Sequence, residues 1–229
     1  MLYFSYPDNL SELFDAEDFY LKYSRNDNKD VPVNLSEQKL MPEEFSISYP
    51  VIENASNGEN ISKINEAIID QVSRLFKSQV LVDGVTDFNQ VLGTYEVRLN
   101  KSNLLSILFA MYTYVNRAAH GFTKYSSLTI DAKTGHIYSF NELFNQSTDY
   151  AAVLNEIAYR YIKDNNITLI NEYNGITKDQ EYYLTPDSLV IYYQVYEYTP
   201  YSYGLFKIEI PYDKIKDIIN PSGPIARLI

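Results

Sequence analysis

Chemistry in this chain has to come from a short set of side chains. It has two histidines, His120 and His136, and no cysteine, so thiolate zinc sites, iron–sulfur clusters and cysteine nucleophiles are excluded together. A catalytic zinc would need both histidines and a carboxylate, with the histidines facing each other across a sheet. The plainer expectation is that His120 makes a structural hydrogen bond beside Gly121 and that His136 is an exposed turn residue. With thirty Asp and Glu residues some carboxylates must lie close together, so counting cannot argue for a glycosidase-like acid and base. Glu197 has the best claim, a charge amid tyrosines, although an edge-facing or tyrosine-bonded carboxylate is the commoner arrangement. The acidic run 83–89 has a calcium-like composition without EF-hand spacing and reads as loop. G-x-S-x-G, G-x-x-x-x-G-K-[ST], G-x-G-x-x-G and H-E-x-x-H are all absent. No catalytic residue, metal site or cofactor is implied.

The distinctive stretch runs from Tyr182 to Tyr212, YYLTPDSLVIYYQVYEYTPYSYGLFKIEIPY. It predicts two strands, Leu189–Glu197 and Leu205–Ile210, joined by a loop containing Pro200 and Gly204. Side chains alternate between the faces of a strand. Leu189, Ile191, Tyr193 and Val195 then form a core face, and Val190, Tyr192, Gln194 and Tyr196 an opposite face that is a tyrosine ladder with a wet tip. Tyrosine offers a large rigid contact area with a polar end, suited to a partner interface or to stacking on a sugar ring. Cross-strand pairing of Tyr192 and Tyr196 would account for the ladder structurally. Loop residues carry function more often, so Tyr196, Tyr198, Pro200, Tyr201, Tyr203 and Gly204 are the candidate contact residues.

The elements that must position this hairpin follow from periodicity. Phe45, Ile47, Tyr49 and Val51 alternate with polar residues as a half-buried strand, and Pro50 places it at an edge. Ile61, Ile64, Ile68, Val72, Leu75 and Phe76 recur at helical spacing, predicting a helix over 61–78 with Asn60 as cap. Gly93–Asn100 and Leu104–Asn116 form a candidate antiparallel hairpin. Its second strand, apolar at nearly every position, belongs in the centre with both faces covered. Lys124–Asp131 is a further strand, and Gly135 supplies the positive φ of the turn that follows it. Asn141–Phe144 reads as one helical turn. Ser147 or Thr148 then caps a helix over 148–163, and Pro211 opens a short C-terminal helix. The expected class is α+β, a largely antiparallel sheet packed against two main helices on one side.

Composition sets the outer bounds. A 229-residue chain that is 45% hydrophobic can bury a sizeable core. The net charge of −11 and the absence of a Lys/Arg cluster argue against nucleic acid and anionic membranes and would attract a basic partner. More than half of that charge lies in residues 1–44, where ten acidic and four basic residues leave −6. These residues read as an acidic extension with a short amphipathic helix around Leu10, Leu13, Phe14 and Leu21. The domain proper spans 45–229, with 45–115 and 116–229 as an alternative subdivision. No window holds the roughly 18–20 apolar residues of a membrane span, and the N-terminus lacks the basic region of a signal peptide. As written the chain is expected in the cytoplasm, or outside the membrane if it is an excised ectodomain.

YPVIENASNGENISKINEAI, RAAHGFTKYSSLTIDAKTGHIYSFNELF and the tyrosine-rich stretch together resemble a bacterial family of undefined function. That family is found in the extracytoplasmic part of lysozyme-sensing anti-sigma factors and beside peptidoglycan deacetylase domains. The resemblance covers about 45–225 and rests on A-H-G at Ala119–Gly121, D-x-K-T-G at Asp131–Gly135, and Tyr-x-x-x-Pro-Tyr-x-x-Gly from Tyr196 to Gly204. His120, Gly121, Asp131 and Gly135 are its structural motif residues. The resemblance implies an α+β binding module rather than an enzyme, with the Pro200–Gly204 loop meeting a partner such as lysozyme, a basic protein. The chain is also similar to short free-standing members of unassigned role. Three readings follow: a protein-binding module, a cell-wall glycan binder or weak glycan hydrolase, and a structural, oligomerising protein. The oligomeric state is left open.

Overall fold

The computed structural model describes residues 37, 39–53 and 60–229, so the expected amphipathic helix near Leu10 lies outside the described residues. Among the described residues two β-sheets and two α-helices make up the fold. The first sheet has the order β1-β2-β3-β4, with β1 (Glu44–Ile47), β2 (Phe88–Lys101), β3 (Leu104–Val115) and β4 (Phe122–Asp131). β2, β3 and β4 are antiparallel neighbours, whereas β1 runs parallel to β2 at the edge. The second sheet, β5 (Tyr182–Leu184), β6 (Ser188–Tyr193) and β7 (Phe206–Pro211), is an antiparallel meander. One sheet was the expectation. The tyrosine-rich hairpin instead builds a sheet of its own, because Tyr182–Leu184 pairs with β6 on the side away from β7.

β3 is central, as its uninterrupted apolar run requires. One of its faces, carrying Ile107, Phe109 and Met111, packs with Leu128 and Ile130 of β4 against Ile64, Ile68 and Leu75 of helix α1 (Ile61–Val80). The other presents Leu108 to Tyr183, Val190 and Tyr192 of the second sheet. That sheet's far face, with Leu189, Ile191, Phe206, Ile208 and Ile210, covers Leu154 and Ala158 of helix α2 (Tyr150–Asp164). The layers are therefore helix, sheet, sheet, helix, and the second sheet is buried on both faces.

This arrangement overturns the expected tyrosine ladder. Tyr192 is fully buried at 0% exposure and β6 ends at Tyr193, so the strand does not reach Glu197. Smaller differences concern helix ends. Asn60 makes no side-chain cap and instead donates to the Lys133 carbonyl. α2 is capped by Asp149, whose carboxylate accepts from the Ala152 N–H, and not by Ser147 or Thr148. The C-terminal helix reduces to short 3₁₀ turns at Tyr212–Lys214 and Ile225–Arg227.

A buried hydroxyl pair joins the loop before β5 to β6, Tyr173 to Tyr193 at 2.6 Å. Burial pushes the Tyr173 hydroxyl up to about 12, and burial together with the adjacent Tyr173 raises Tyr193 further. In the unfolded chain a tyrosine ionises at 10.0. The stability these groups contribute is therefore complete below that pH and is lost as pH rises toward their folded values. Chemical denaturation between about pH 9 and pH 12 should show a falling midpoint, and Tyr193→Phe should make the decline shallower.

Candidate functional site

Three short segments meet at the N-terminal end of β4: the turn before it, the start of the strand, and the loop between β6 and β7. Their meeting point is His120. Its Nδ1 lies 2.7 Å from the Gly121 carbonyl and its Nε2 lies 3.0 Å from the Tyr196 hydroxyl. Because Nδ1 faces a carbonyl it carries the proton, and the bare Nε2 accepts from Tyr196. The Tyr201 ring stacks on the imidazole with centroids 4.2 Å apart and interplanar angle 22°. Tyr201 also lies 5.7 Å from Tyr196, whose ring is nearly parallel to Phe122 at 6.5 Å. The result is an aromatic tier of His120, Phe122, Tyr196 and Tyr201. Within it Tyr196 is 43% exposed.

The tier is held by polar contacts that replace a strand ladder. The Gln194 side chain docks on the backbone of Tyr125, accepting from its N–H at 3.0 Å and donating to its carbonyl at 2.9 Å. This satisfies the outer edge of β4 as a neighbouring strand would. The chain then turns at Gln194–Glu197, where the Glu197 carboxylate accepts from the Gln194 N–H at 2.8 Å. Tyr196 takes a left-handed backbone, φ +69°, a conformation that bulky residues adopt only when their surroundings enforce it. From the other side Ile170 N–H donates to the Tyr198 carbonyl, and Asn171 donates to that of Glu197. Gly121 is required by close approach, since a Cβ there would fall inside the Tyr112 ring.

The expected contact residues therefore divide. Tyr196 and Tyr201 come together at the surface, while Tyr203, on the same 3₁₀ turn that Pro200 and Gly204 bound, is exposed but packs edge-on against Phe206. Tyr198 does not join them. It is buried at 7% exposure between Tyr173 and Tyr193, because the turn at 194–197 rotates the following residue into the core. His120 belongs with the tier, a placement its role as a structural motif residue did not anticipate.

Asp131 and Gly135 stand at the far end of β4. Asp131 Oδ1 accepts from the Lys133 and Thr134 N–H groups, and its Oδ2 pairs with Arg227 at 2.9 Å. Burial works against this charge, yet the two N–H groups and Arg227 hold the carboxyl below its ordinary value. Gly135 adopts φ +70° in that turn, and His136 pairs with Glu142 at 2.8 Å. With ten residues of β4 spanning roughly 30 Å between the histidines, one zinc ion cannot take both. Among the described residues no group of three His, Asp or Glu side chains is arranged to hold a metal.

Sequence reading gave the role of the tyrosine-bonded carboxylate to Glu197, and Glu181 holds it. The Tyr192 hydroxyl donates to Glu181 at 2.6 Å and lies 3.0 Å from the Ser127 hydroxyl. Desolvation raises the Glu181 carboxyl above its ordinary value, against the opposing pull of the Tyr192 hydrogen bond and of Lys124. It borders an open cavity of about 240 Å³ with Gln71, Ser127, Ser139 and Asp179. Nothing in a single sequence marks Glu181, because its partner Tyr192 sits eleven positions away on the adjacent strand.

Comparison with known proteins agrees with the resemblance. Residues 141–213 match the model of a protein family of unknown function, DUF3298. These residues hold α2, the second sheet and the aromatic loop, but neither Ala119–Gly121 nor Asp131–Gly135. The chain is 23% identical, over 183 residues, to the peptidoglycan-N-acetylmuramic acid deacetylase PdaC of Bacillus subtilis, covering 77% of this chain and 39% of that protein. It thus spans about two fifths of that relative's length. Two solved structures share the fold. A DUF3298 family protein from Pseudomonas aeruginosa matches with TM-score 0.51 and 17% identity over 71% of this chain and 72% of that one. A second member, from Bacteroides fragilis, matches with TM-score 0.50 and 19% identity over 74% and 69%.

Two substitutions check the contacts described. Gln194→Ala leaves both Tyr125 backbone groups without a protein partner and should cost about 1–2 kcal/mol in denaturant titration, with faster exchange of the Tyr125 amide. Glu181→Gln keeps an acceptor for Tyr192 and removes the charge. Since the folded carboxyl titrates above the unfolded one, its stabilising contribution exists at low pH and is lost as pH rises through the folded value. The variant should therefore melt higher than wild type at neutral pH, and the gain should vanish near pH 4.

Proposed function

For a chain whose residues 141–213 match the DUF3298 family model, we propose a non-catalytic binding module whose contact surface is the aromatic tier of His120, Phe122, Tyr196 and Tyr201, with the exposed Tyr203 of the same loop. The observation that carries this reading is Tyr196. A tyrosine in the left-handed region costs on the order of 1–3 kcal/mol and persists where the surroundings over-determine it, commonly at binding sites. Here the fold accepts that cost at a ring that remains 43% exposed. Half-exposed, mutually stacked aromatic side chains are pre-organised, so little rotamer freedom remains to be lost on contact. Such residues are typical of interface hot spots.

The net charge of −11 favours a basic protein partner through faster encounter. Lysozyme is the partner that the family resemblance names. Two contacts support the non-catalytic reading. Glu197 is engaged in closing its own turn, and the cavity beside Glu181 is separate from the tier.

The second reading, a glycan-binding module, draws support from the similarity to a peptidoglycan deacetylase and from exposed tyrosines suited to stacking on sugar rings.

Calorimetric titration with c-type lysozyme at moderate salt, and separately with soluble peptidoglycan fragments, distinguishes the two. Heat with lysozyme that weakens at high salt, and is lost on Tyr201→Ala, is the expected outcome. Tyr196→Gly should weaken the complex at least about tenfold while leaving thermal stability close to wild type, because the glycine relieves the backbone. Heat with the fragments alone selects the glycan reading. No heat with either ligand removes both.

A further inference from the structure

β1 covers only part of its neighbour. Its last register position pairs Ile47 with Gly93, after which β2 continues to Lys101. The Gly93 carbonyl accepts from Ser48 N–H at 2.9 Å, so the backbone groups of Gly93 point to the β1 side. Alternation along the strand turns those of Tyr95 and Val97 the same way. The register with β3 stays unbroken from Gly93 to Val97, and the β-bulge comes only between Val97 and Leu99. Among the described residues nothing pairs with the Tyr95 and Val97 backbone on that side. Their side chains are also open, at 38% and 47% exposure.

An unpaired edge of this kind is a template for another strand, and its sequence says which one. Glu96 and Arg98 flank Val97 and lie 2.8 Å apart as an ion pair on their own strand. An antiparallel copy of the segment, related by a two-fold axis through Val97, sets Val97 against Val97. The same operation places Glu96 opposite Arg98 and Arg98 opposite Glu96. Charge and apolar character are thus complementary to themselves in one register, which is the condition for an isologous interface. A like-charged edge would repel its copy and a uniformly apolar one would fix no register. Arg98 has spare capacity for such a contact. Its guanidinium lies over the Tyr183 ring with Cζ 5.1 Å from the centroid, and its buried Nε has no hydrogen-bond partner among the described residues.

We infer that the exposed edge of β2 at Thr94–Arg98 is a homodimer interface, in which a second copy of this chain adds antiparallel and extends the first sheet across a two-fold axis at Val97. Val97 N–H and C=O exchange bonds with the same groups of the other copy. The Glu96 and Arg98 pairs, formed twice, hold the register.

Sedimentation velocity of the full chain over a dilution series reaching the high micromolar range tests this. Wild type should show a reversible monomer–dimer equilibrium. Val97→Lys, which brings two lysines together at the axis, should raise the dissociation constant at least about tenfold, as should Glu96→Arg, which opposes two arginines. The double exchange Glu96→Arg with Arg98→Glu restores opposite charges and should restore the dimer. Circular dichroism identifies any variant that fails to fold, and the remaining variants then decide. A wild type that stays monomeric throughout, a dimer untouched by Val97→Lys and Glu96→Arg, or a double exchange that fails to recover dimerisation overturns the inference. A chain that is monomeric alone yet takes up an extended peptide at β2 also overturns it, and assigns the edge to another partner.

Discussion

The fold depends on how a buried strand edge finds its hydrogen bonds. β5 is three residues long and lies against the face of the first sheet, where its outward N–H and C=O groups meet neither water nor a fourth strand. An orphaned backbone group there would cost roughly 1–3 kcal/mol. Serine hydroxyls from β3 and β4 supply the partners. Ser106 accepts from the Leu184 N–H at 3.0 Å and bonds Thr129 at 2.9 Å, while Ser127 donates to the Tyr182 carbonyl. Small hydroxyls let the two sheets approach closely, and larger polar groups at these positions would hold them apart. Apolar contact among Leu108, Tyr183, Val190 and Tyr192 then fills the rest of the seam.

The same device places the candidate site. Beyond Tyr193 the chain leaves the second sheet, and the Gln194 amide holds the loop against the Tyr125 backbone of β4. From that anchor the turn through Glu197 sends Tyr196 outward and Tyr198 inward. A loop of this composition hanging free would lose on binding the rotamer and backbone entropy that the docked loop has already lost on folding. The seam between the sheets is therefore also what makes the aromatic tier rigid.

How much of this was legible follows from periodicity. Helix α1 and the placement of β3 with both faces covered could be read, because their apolar spacing has one structural solution. The misreading of Tyr192 has a definite cause. Strict alternation is the signature of a half-exposed strand, yet tyrosine is both apolar and polar, so Val190, Tyr192 and Gln194 look like a wet face and fit a buried one whenever hydroxyl partners exist. Ser127 and Glu181 provide those partners from other strands, and no local pattern announces them. The serines of β3 and β4 were invisible for the same reason: a serine within an apolar strand reads as a tolerated substitution, and only the second sheet shows what it bonds. In the loop, Tyr196, Tyr201 and Tyr203 were chosen by residue type alone, and Tyr196 and Tyr203 are well exposed. Tyr198 failed because one left-handed residue resets which side its successors occupy.

The two surfaces singled out lie on opposite edges of the first sheet, and this bears on what each can do. The aromatic tier belongs to the β4 edge, which the Gln194 side chain has already closed to further strands. The free segment of β2 belongs to the other edge, where among the described residues nothing similar caps Tyr95 and Val97. A copy added at β2 thus leaves both tiers uncovered and relates them by a two-fold axis. For a partner that presents its sites repeatedly, two tiers held on one rigid sheet act at an effective concentration fixed by geometry rather than by dilution. Avidity of this origin can exceed a single contact by about 10²–10⁴-fold. In the proposed dimer a small aromatic surface that bound weakly alone would then suffice, and the edge that most proteins must protect would be the part that makes a weak site usable.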